Sequence, residues 1–280
     1  YFVGFVGFGV KAAVFPRHGW LPSAYVAPTP VTALLHAVAV VKAGIFGIIR
    51  LTYYVYGVDF VKGTWPQYVA LVMIIFTIVY GSSMALRTRH LKKRLAYSTI
   101  SQLSYILLSV MMLTDKGLQS SLVYMVFHAI IKITLFFCCG SVMFTTHTTD
   151  VQEMNGYGKI MPSTFACFTI ASMGLVGIPL TAGFIGKFHL ADAAFSSGQP
   201  AWGAIGMAAV MISALLTALY TLPLSLKAFM PGRGRELADT GKKNPPAVMG
   251  VPVILLTALI ILFGVVPQLV VGFISNINTV

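Results

Sequence analysis

Five cations of this 280-residue chain fall inside long apolar runs: Lys11, Lys42, Arg50, Lys132 and Lys187. Two histidines, His36 and His128, share those runs. A lysine at the centre of a membrane helix costs about 2.5 to 3.5 kcal/mol to insert, so each needs a reason to be there. Arg50 stands within a turn or two of a helix end and can snorkel to the interface. Four lysines remain. His128 and Lys132 are four apart in FHAIIKITLFF, on one helix face about one turn apart, close enough for a water or proton to pass between them. Lys42 follows His36 by six residues, about 120° further round, so these two line one path only if it crosses the helix obliquely. Each histidine taken singly also fits a packed core residue bonded to a carbonyl; a His and Lys pair on one membrane face is harder to assign to packing.

Lys11 and Lys187 adjoin backbone that cannot run on as regular helix. Pro16 follows Lys11, and HGWLPSAYVAPTP (18–30) holds further prolines before helix can resume. Lys187 follows GIPLTAG (177–183), where Pro179 lacks an N–H and two glycines loosen the chain. Unwound backbone inside a membrane frees carbonyls and helix ends that hold water and ions, and broken helices in two repeated halves are the transporter pattern. Asp192 is the one acid expected inside a span. It lies about 140° around the helix from Lys187, and His189, three residues away, is its nearer partner, so His189 and Asp192 are accessory candidates. One carboxylate against four buried lysines leaves charge short of partners. Some lysines are then neutral, or the acid belongs to a segment upstream.

The elements that must position these residues follow from composition. With 57% apolar and 9% charged residues and a mean hydropathy of +0.85, an ordinary soluble domain is excluded. A crossing needs about 20 mostly apolar residues, which gives eight expected spans, near 1–15, 31–57, 66–86, 95–114, 118–146, 163–197, 201–229 and 248–274. The first and sixth are expected to be interrupted helices. Of the loop Lys and Arg, twelve fall in the first, third, fifth and seventh connections and two, Lys62 and Lys116, in the others, a bias that supports eight crossings. It puts loops 87–94 and 227–247 in the cytoplasm and the C-terminus opposite. The net charge of +12 is thereby a matter of topology, and nucleic acid is not expected as a partner. The chain is apolar from Tyr1 without a Met or a basic leader, as expected of a piece of a longer protein.

Cys138, Cys139 and Cys167 lie in apolar runs and offer neither a disulfide framework nor a Cys-type metal site. With no CxxC and no glycine fingerprint, no redox cofactor or metal is expected on this chain. A haem enzyme would have only His36 and His128 as axial ligands at membrane depth, and a non-transporting scaffold gains nothing from four mid-span lysines.

Four blocks in order, GFGVKAAVFPRHGWLPSAYVAPTPVTALLHAVAVVKAGIFGIIR (7–50), KKRLAYSTISQLSYILL (92–108), FHAIIKITLFFCCGSV (127–142) and GIPLTAGFIGKFHL (177–190), resemble the antiporter-like, proton-translocating subunits of respiratory complex I, Mrp-type cation/proton antiporters and membrane-bound hydrogenases. The resemblance implies an all-α polytopic bundle, the carboxyl-terminal eight of fourteen helices. It divides the single transmembrane domain (1–280) into the end of a first inverted repeat (1–57), a second inverted repeat (66–229) and a last helix (248–274). It also implies a proton pathway through Lys11, His36, Lys42, His128, Lys132 and Lys187, with protons leaving from Lys187. The family glutamate that modulates the first lysine belongs to an earlier helix. Where the family often has an acid in WLPSAY, this chain has Ser23, which removes that loop's usual charge partner. The function implied is proton translocation in a complex I-like NADH:quinone oxidoreductase or related redox-driven complex. A Mrp-type sodium/proton antiporter subunit is the alternative. Expected partners are other membrane subunits, the bilayer, protons, and sodium on the alternative reading; the expected location is a prokaryotic cell membrane.

Overall fold

The computed structural model describes residues 1–230 and 245–276, and among these all regular structure is helical. The helices are α1 (Phe2–Lys11), α2 (Trp20–Ser23), α3 (Thr29–Ala37), α4 (Val40–Ile49), α5 (Val58–Val61), α6 (Trp65–Arg87), α7 (Leu91–Met111), α8 (Asp115–Thr146), α9 (Tyr157–Ile160), α10 (Pro162–Val176), α11 (Ala182–Phe195), α12 (Pro200–Phe229), α13 (Ala247–Val265) and α14 (Gln268–Ser275). Local signals fit these bounds. Prolines open α6, α10 and α12 in the first turn, where a missing N–H is harmless, and the Thr114 hydroxyl caps α8 by accepting from the Gly117 N–H.

All eight expected crossings have a helical counterpart. Five stretches are long and apolar enough to cross a membrane: Thr29–Tyr56, Trp65–Arg87, Asp115–Thr146, Pro200–Phe229 and Ala247–Val265. α7 is long enough but too polar to qualify, and the fold compensates by burying every residue from Ser98 to Met111. The expected break in the sixth crossing falls between α10 and α11. The crossing at 31–57 is less regular than expected. The amides of Val38 and Ala39 both donate to the Leu34 carbonyl, at 3.0 and 2.9 Å, a wide turn that separates α3 from α4. Residues Arg50–Tyr56 then continue as π-helix. The last crossing divides at Pro267, where the missing N–H stops α13.

α7 also begins four residues earlier than expected, so Lys92, Lys93 and Arg94 sit in its first turn rather than in a loop. Lys92 is buried and donates to the Ala27 carbonyl at 2.9 Å, and Arg94 donates to the carbonyls of Tyr220 and Thr88 at 2.9 Å. Arg50 is exposed at the end of α4, its guanidinium 4.8 Å above the Tyr54 ring. Arg233, Arg235, Lys242 and Lys243 lie outside the described residues.

α7 and α8 pack together at the centre, α7 also against α6 and α8 against α3, α10, α11 and α13. Two apolar clusters flank this pair. One gathers Ile100 to Met112 of α7 with α1, α4 and α6; the other gathers Leu91 and Leu95 with Ile131 to Val142 of α8 and with α10. Many of the buried polar side chains belong to α7 and α8.

Candidate functional site

α8 acts as the rail on which the candidate residues are arranged. Lys42, from α4, donates its Nζ to the Met125 carbonyl at 2.5 Å. His128 follows on α8. Lys132 comes next, donating to the Leu95 carbonyl at 3.1 Å and to the Ser98 hydroxyl. His36, from α3, stacks on Phe136 with ring centroids 5.2 Å apart. At 1.5 Å per residue, anchor points 125, 128, 132 and 136 succeed one another at about 4.5, 6 and 6 Å along the helix. Four of the expected pathway residues therefore form one file, drawn from three helices. The wide turn at Val38–Ala39 lies between His36 and Lys42, which take up opposite ends of the file rather than one face of one helix.

The file is nearly closed to solvent, with His36 and Lys132 0% exposed, His128 2% and Lys42 7%. Both ring nitrogens of His36 and of His128 have no hydrogen-bond partner among the described residues. Buried polar atoms are almost always partnered, by protein or by ordered water, so unpartnered imidazoles beside lysines are suited to hold water and pass a proton.

Lys187 is held differently. Its Nζ donates to the carbonyls of Leu175 and Val176, at 3.1 and 2.5 Å. These are the last carbonyls of α10, which lack partners within their own helix and carry the negative end of its dipole. Gly177 makes the seat possible. Its φ is +89°, and a Cβ there would lie 2.8 Å from Lys187 Cδ. Gly183 lets α11 start against α10, since a Cβ on it would run into the Gly174 carbonyl oxygen. Tyr105 of α7 also faces Lys187, its ring centroid 5.5 Å from Nζ.

Between Lys187 and the file stand aromatic and hydroxyl groups that carry no charge to mark them in the sequence. Tyr105 and Tyr124 have ring centroids 5.9 Å apart, and Tyr124 stacks on His128 at 6.4 Å. The Tyr124 hydroxyl donates to Gln102 Oε1, and the Tyr105 hydroxyl donates to Ser213 Oγ at 2.6 Å, with Ser82 Oγ bonded to the same Ser213. The run STISQLSY (98–105) was the available signal, being polar on every face of a helix that had to cross a membrane.

The remaining candidates are not brought to this site. Lys11 is exposed at the end of α1, where its backbone packs on Gly44 so closely that a Cβ there would lie 2.9 Å from Lys11 Cβ. Asp192 pairs with Lys116, 3.0 Å away and on the exposed side, instead of with His189. His189 meets the edge of Phe188.

Residues 1–217 match the family model described as "NADH:quinone oxidoreductase/Mrp antiporter, TM". The chain is 34% identical over 281 residues to F(420)H(2) dehydrogenase subunit L of Methanosarcina mazei, covering 94% of this chain and 39% of that protein. It is 32% identical over 276 residues to NAD(P)H-quinone oxidoreductase chain 4 1 of a Picosynechococcus species, covering 96% of this chain and 50% of that one. Its fold superposes with a TM-score of 0.83 on a chain of the Mrp complex from a Dietzia species, at 24% identity, covering 96% of this chain and 57% of the other. The chain thus spans between 39% and 50% of the length of these two curated relatives.

Proposed function

The chain belongs to the NADH:quinone oxidoreductase/Mrp antiporter transmembrane family, and from that premise we propose that it is the proton-conducting part of a membrane subunit of a complex I-like quinone oxidoreductase. The observation that carries this reading is the closed file of Lys42, His128, Lys132 and His36 along α8, with Lys187 seated at a broken helix beside it. Protons pass along the file through water held at the unpartnered imidazoles and reach Lys187. Lysine suits the task because its ammonium gives up a proton when a neighbouring charge moves. Redox chemistry elsewhere in the complex supplies the drive.

Lys11 stands at the other end, on an exposed face at the junction with further membrane subunits or segments. On this reading residues 1–57 close one inverted repeat, 66–229 form a second, and 248–274 are the last helix. The Lys/Arg-rich ends at 87–94 and 227–247 face the cytoplasm, in keeping with the distribution of positive charge. The curated relatives named above, both oxidoreductase subunits, support a redox-driven partner; the likeness to the Mrp chain, at 24% identity, bears on fold alone.

The test is ion uptake into inverted vesicles that hold the full-length parent in its native complex, with and without Lys187→Ala, following a pH dye and sodium-22 together. Acidification that needs the electron donor and collapses in the variant, with sodium unmoved, is the expected result. Sodium exchanging against protons without any donor would replace this reading with the antiporter. Equal proton flux with and without the lysine would remove Lys187 from the pathway.

A further inference from the structure

We infer that Tyr105 is a positioning residue for Lys187, its ring face holding the lysine's ammonium on the end of α10. The inference rests on the proton-transport reading of Lys187 and adds a residue that reading did not need.

The geometry is that of a three-sided seat. Two sides are the carbonyls of Leu175 and Val176, which bond Nζ. The third is the face of Tyr105, 5.5 Å from Nζ, inside the range in which a cation is attracted to an aromatic ring. Carbonyl oxygens at a helix end and the electron-rich face of a ring both favour a cation over a neutral amine, and neither carries a formal charge. The ring is also fixed. Tyr105 is 0% exposed, and its hydroxyl donates to Ser213 Oγ at 2.6 Å, tying α7 to α12. Ser82 of α6 bonds that same serine, so three helices hold the ring's orientation. Any buried tyrosine needs a partner for its hydroxyl; here that bond also fixes the ring with the lysine's ammonium above it. The ring also meets Tyr124, which stacks on His128, so the seat adjoins the file.

The deciding experiment varies the ring's electrons at constant shape. In the full-length parent within its native complex, residue 105 is replaced by phenylalanine and then by mono-, di- and trifluorophenylalanine, and donor-driven proton flux is measured in vesicles alongside Lys187→Ala. Starting the series from Tyr105→Phe keeps the lost Ser213 bond constant throughout. Each fluorine drains the ring face while changing its volume little, so flux should fall in steps, by about ten-fold from phenylalanine to the trifluoro ring. Tyr105→Leu, which removes the face altogether, should lie at or below the trifluoro value. Flux that stays within about two-fold across the fluorine series, with Lys187→Ala still inactive, would leave Tyr105 as packing only and overturn the inference while sparing the reading of Lys187. Unchanged flux in Lys187→Ala would overturn both.

Discussion

Replacing Gly177 by alanine tests the join between α10 and α11 more directly than removing the lysine does, because it leaves every titratable group in place. At φ +89° an alanine is in the left-handed region, which costs an L-residue roughly 1 to 2 kcal/mol. The new methyl would also stand 2.8 Å from Lys187 Cδ, where ordinary contact begins at 3.4 Å, so the stem must retreat by the 0.6 Å difference or more. The stem is flexible and can do this, which limits the loss of stability to about that backbone penalty. Its amine cannot follow without leaving acceptors at 3.1 and 2.5 Å. A hydrogen bond from a charged group contributes roughly 1.5 to 3 kcal/mol, and giving up much of one corresponds to about a ten-fold effect or more on a step that needs the seated ammonium. Gly177→Ala should therefore assemble, unfold in detergent a few degrees early, and conduct about ten-fold fewer protons in donor-driven vesicles. Gly250→Ala is the control. It lies inside α13 with nothing within 4 Å of the added carbon, so flux should not change and stability should hold or rise by up to about 1 kcal/mol. Full flux from an intact Gly177→Ala complex would refute the claim that Lys187 works from the end of α10.

Two further outcomes follow from groups at the edges of the bundle. Asp192→Asn breaks the exposed pair with Lys116, 3.0 Å apart, so stability should change by less than about 1 kcal/mol and proton flux should be unchanged; a clear loss of flux would restore Asp192 as an accessory residue. His90 stands just before α7, and burial, then the charges of Lys92 and Lys93, hold its imidazole below the ordinary histidine value. The unfolded chain therefore binds a proton that the folded chain refuses as pH falls below about 6.5, and stability must drop with it. Thermal midpoints in detergent should fall between pH 7.5 and pH 5 and fall less in His90→Gln; parallel curves for the two proteins would rule His90 out as a source of the acid sensitivity.

Crossings are legible in a sequence like this because a bilayer imposes one length and one composition on every helix. Eight apolar stretches could be marked, and the break at GIPLTAG could be placed, because Pro179 and its neighbouring glycines act locally. The wide turn at Val38–Ala39 had no such marker. It consists of two amides sharing the Leu34 carbonyl within an apolar run, and nothing about VAVVKAG distinguishes it from helix. The basic residues of the site were legible one at a time, as charges in costly places. Their order was not, because it depends on which turn of α8 each neighbouring helix meets: Lys42 at Met125 and His36 at Phe136 come from one crossing and end eleven residues apart on another. Tyr105, Tyr124 and Gln102 were missed for a different reason. An uncharged polar residue in an apolar helix raises no alarm singly, and only the density of such residues along α7 marks it as a lining helix.

The shortage of carboxylates in the sequence has an answer in the partners the lysines take. Lys42 donates to the Met125 carbonyl, Lys92 to that of Ala27, Lys132 to that of Leu95, and Lys187 to those of Leu175 and Val176. Among the described residues the one salt bridge is the exposed Lys116–Asp192. A backbone carbonyl has a second lone pair to offer even within a helix, so this arrangement needs no additional side chains. It also differs from a buried ion pair in what happens when the proton leaves. A lysine bonded to a carboxylate would leave a bare buried anion behind, a state several kcal/mol uphill, and the pair would hold its proton. A lysine bonded to a carbonyl leaves a dipole, which accepts an amine N–H as it accepted the ammonium. Holding cations by dipoles lets each lysine be positioned whether charged or neutral. A charge that passes from one site to the next then meets no fixed counter-charge to trap it, which is what a relay through this bundle requires.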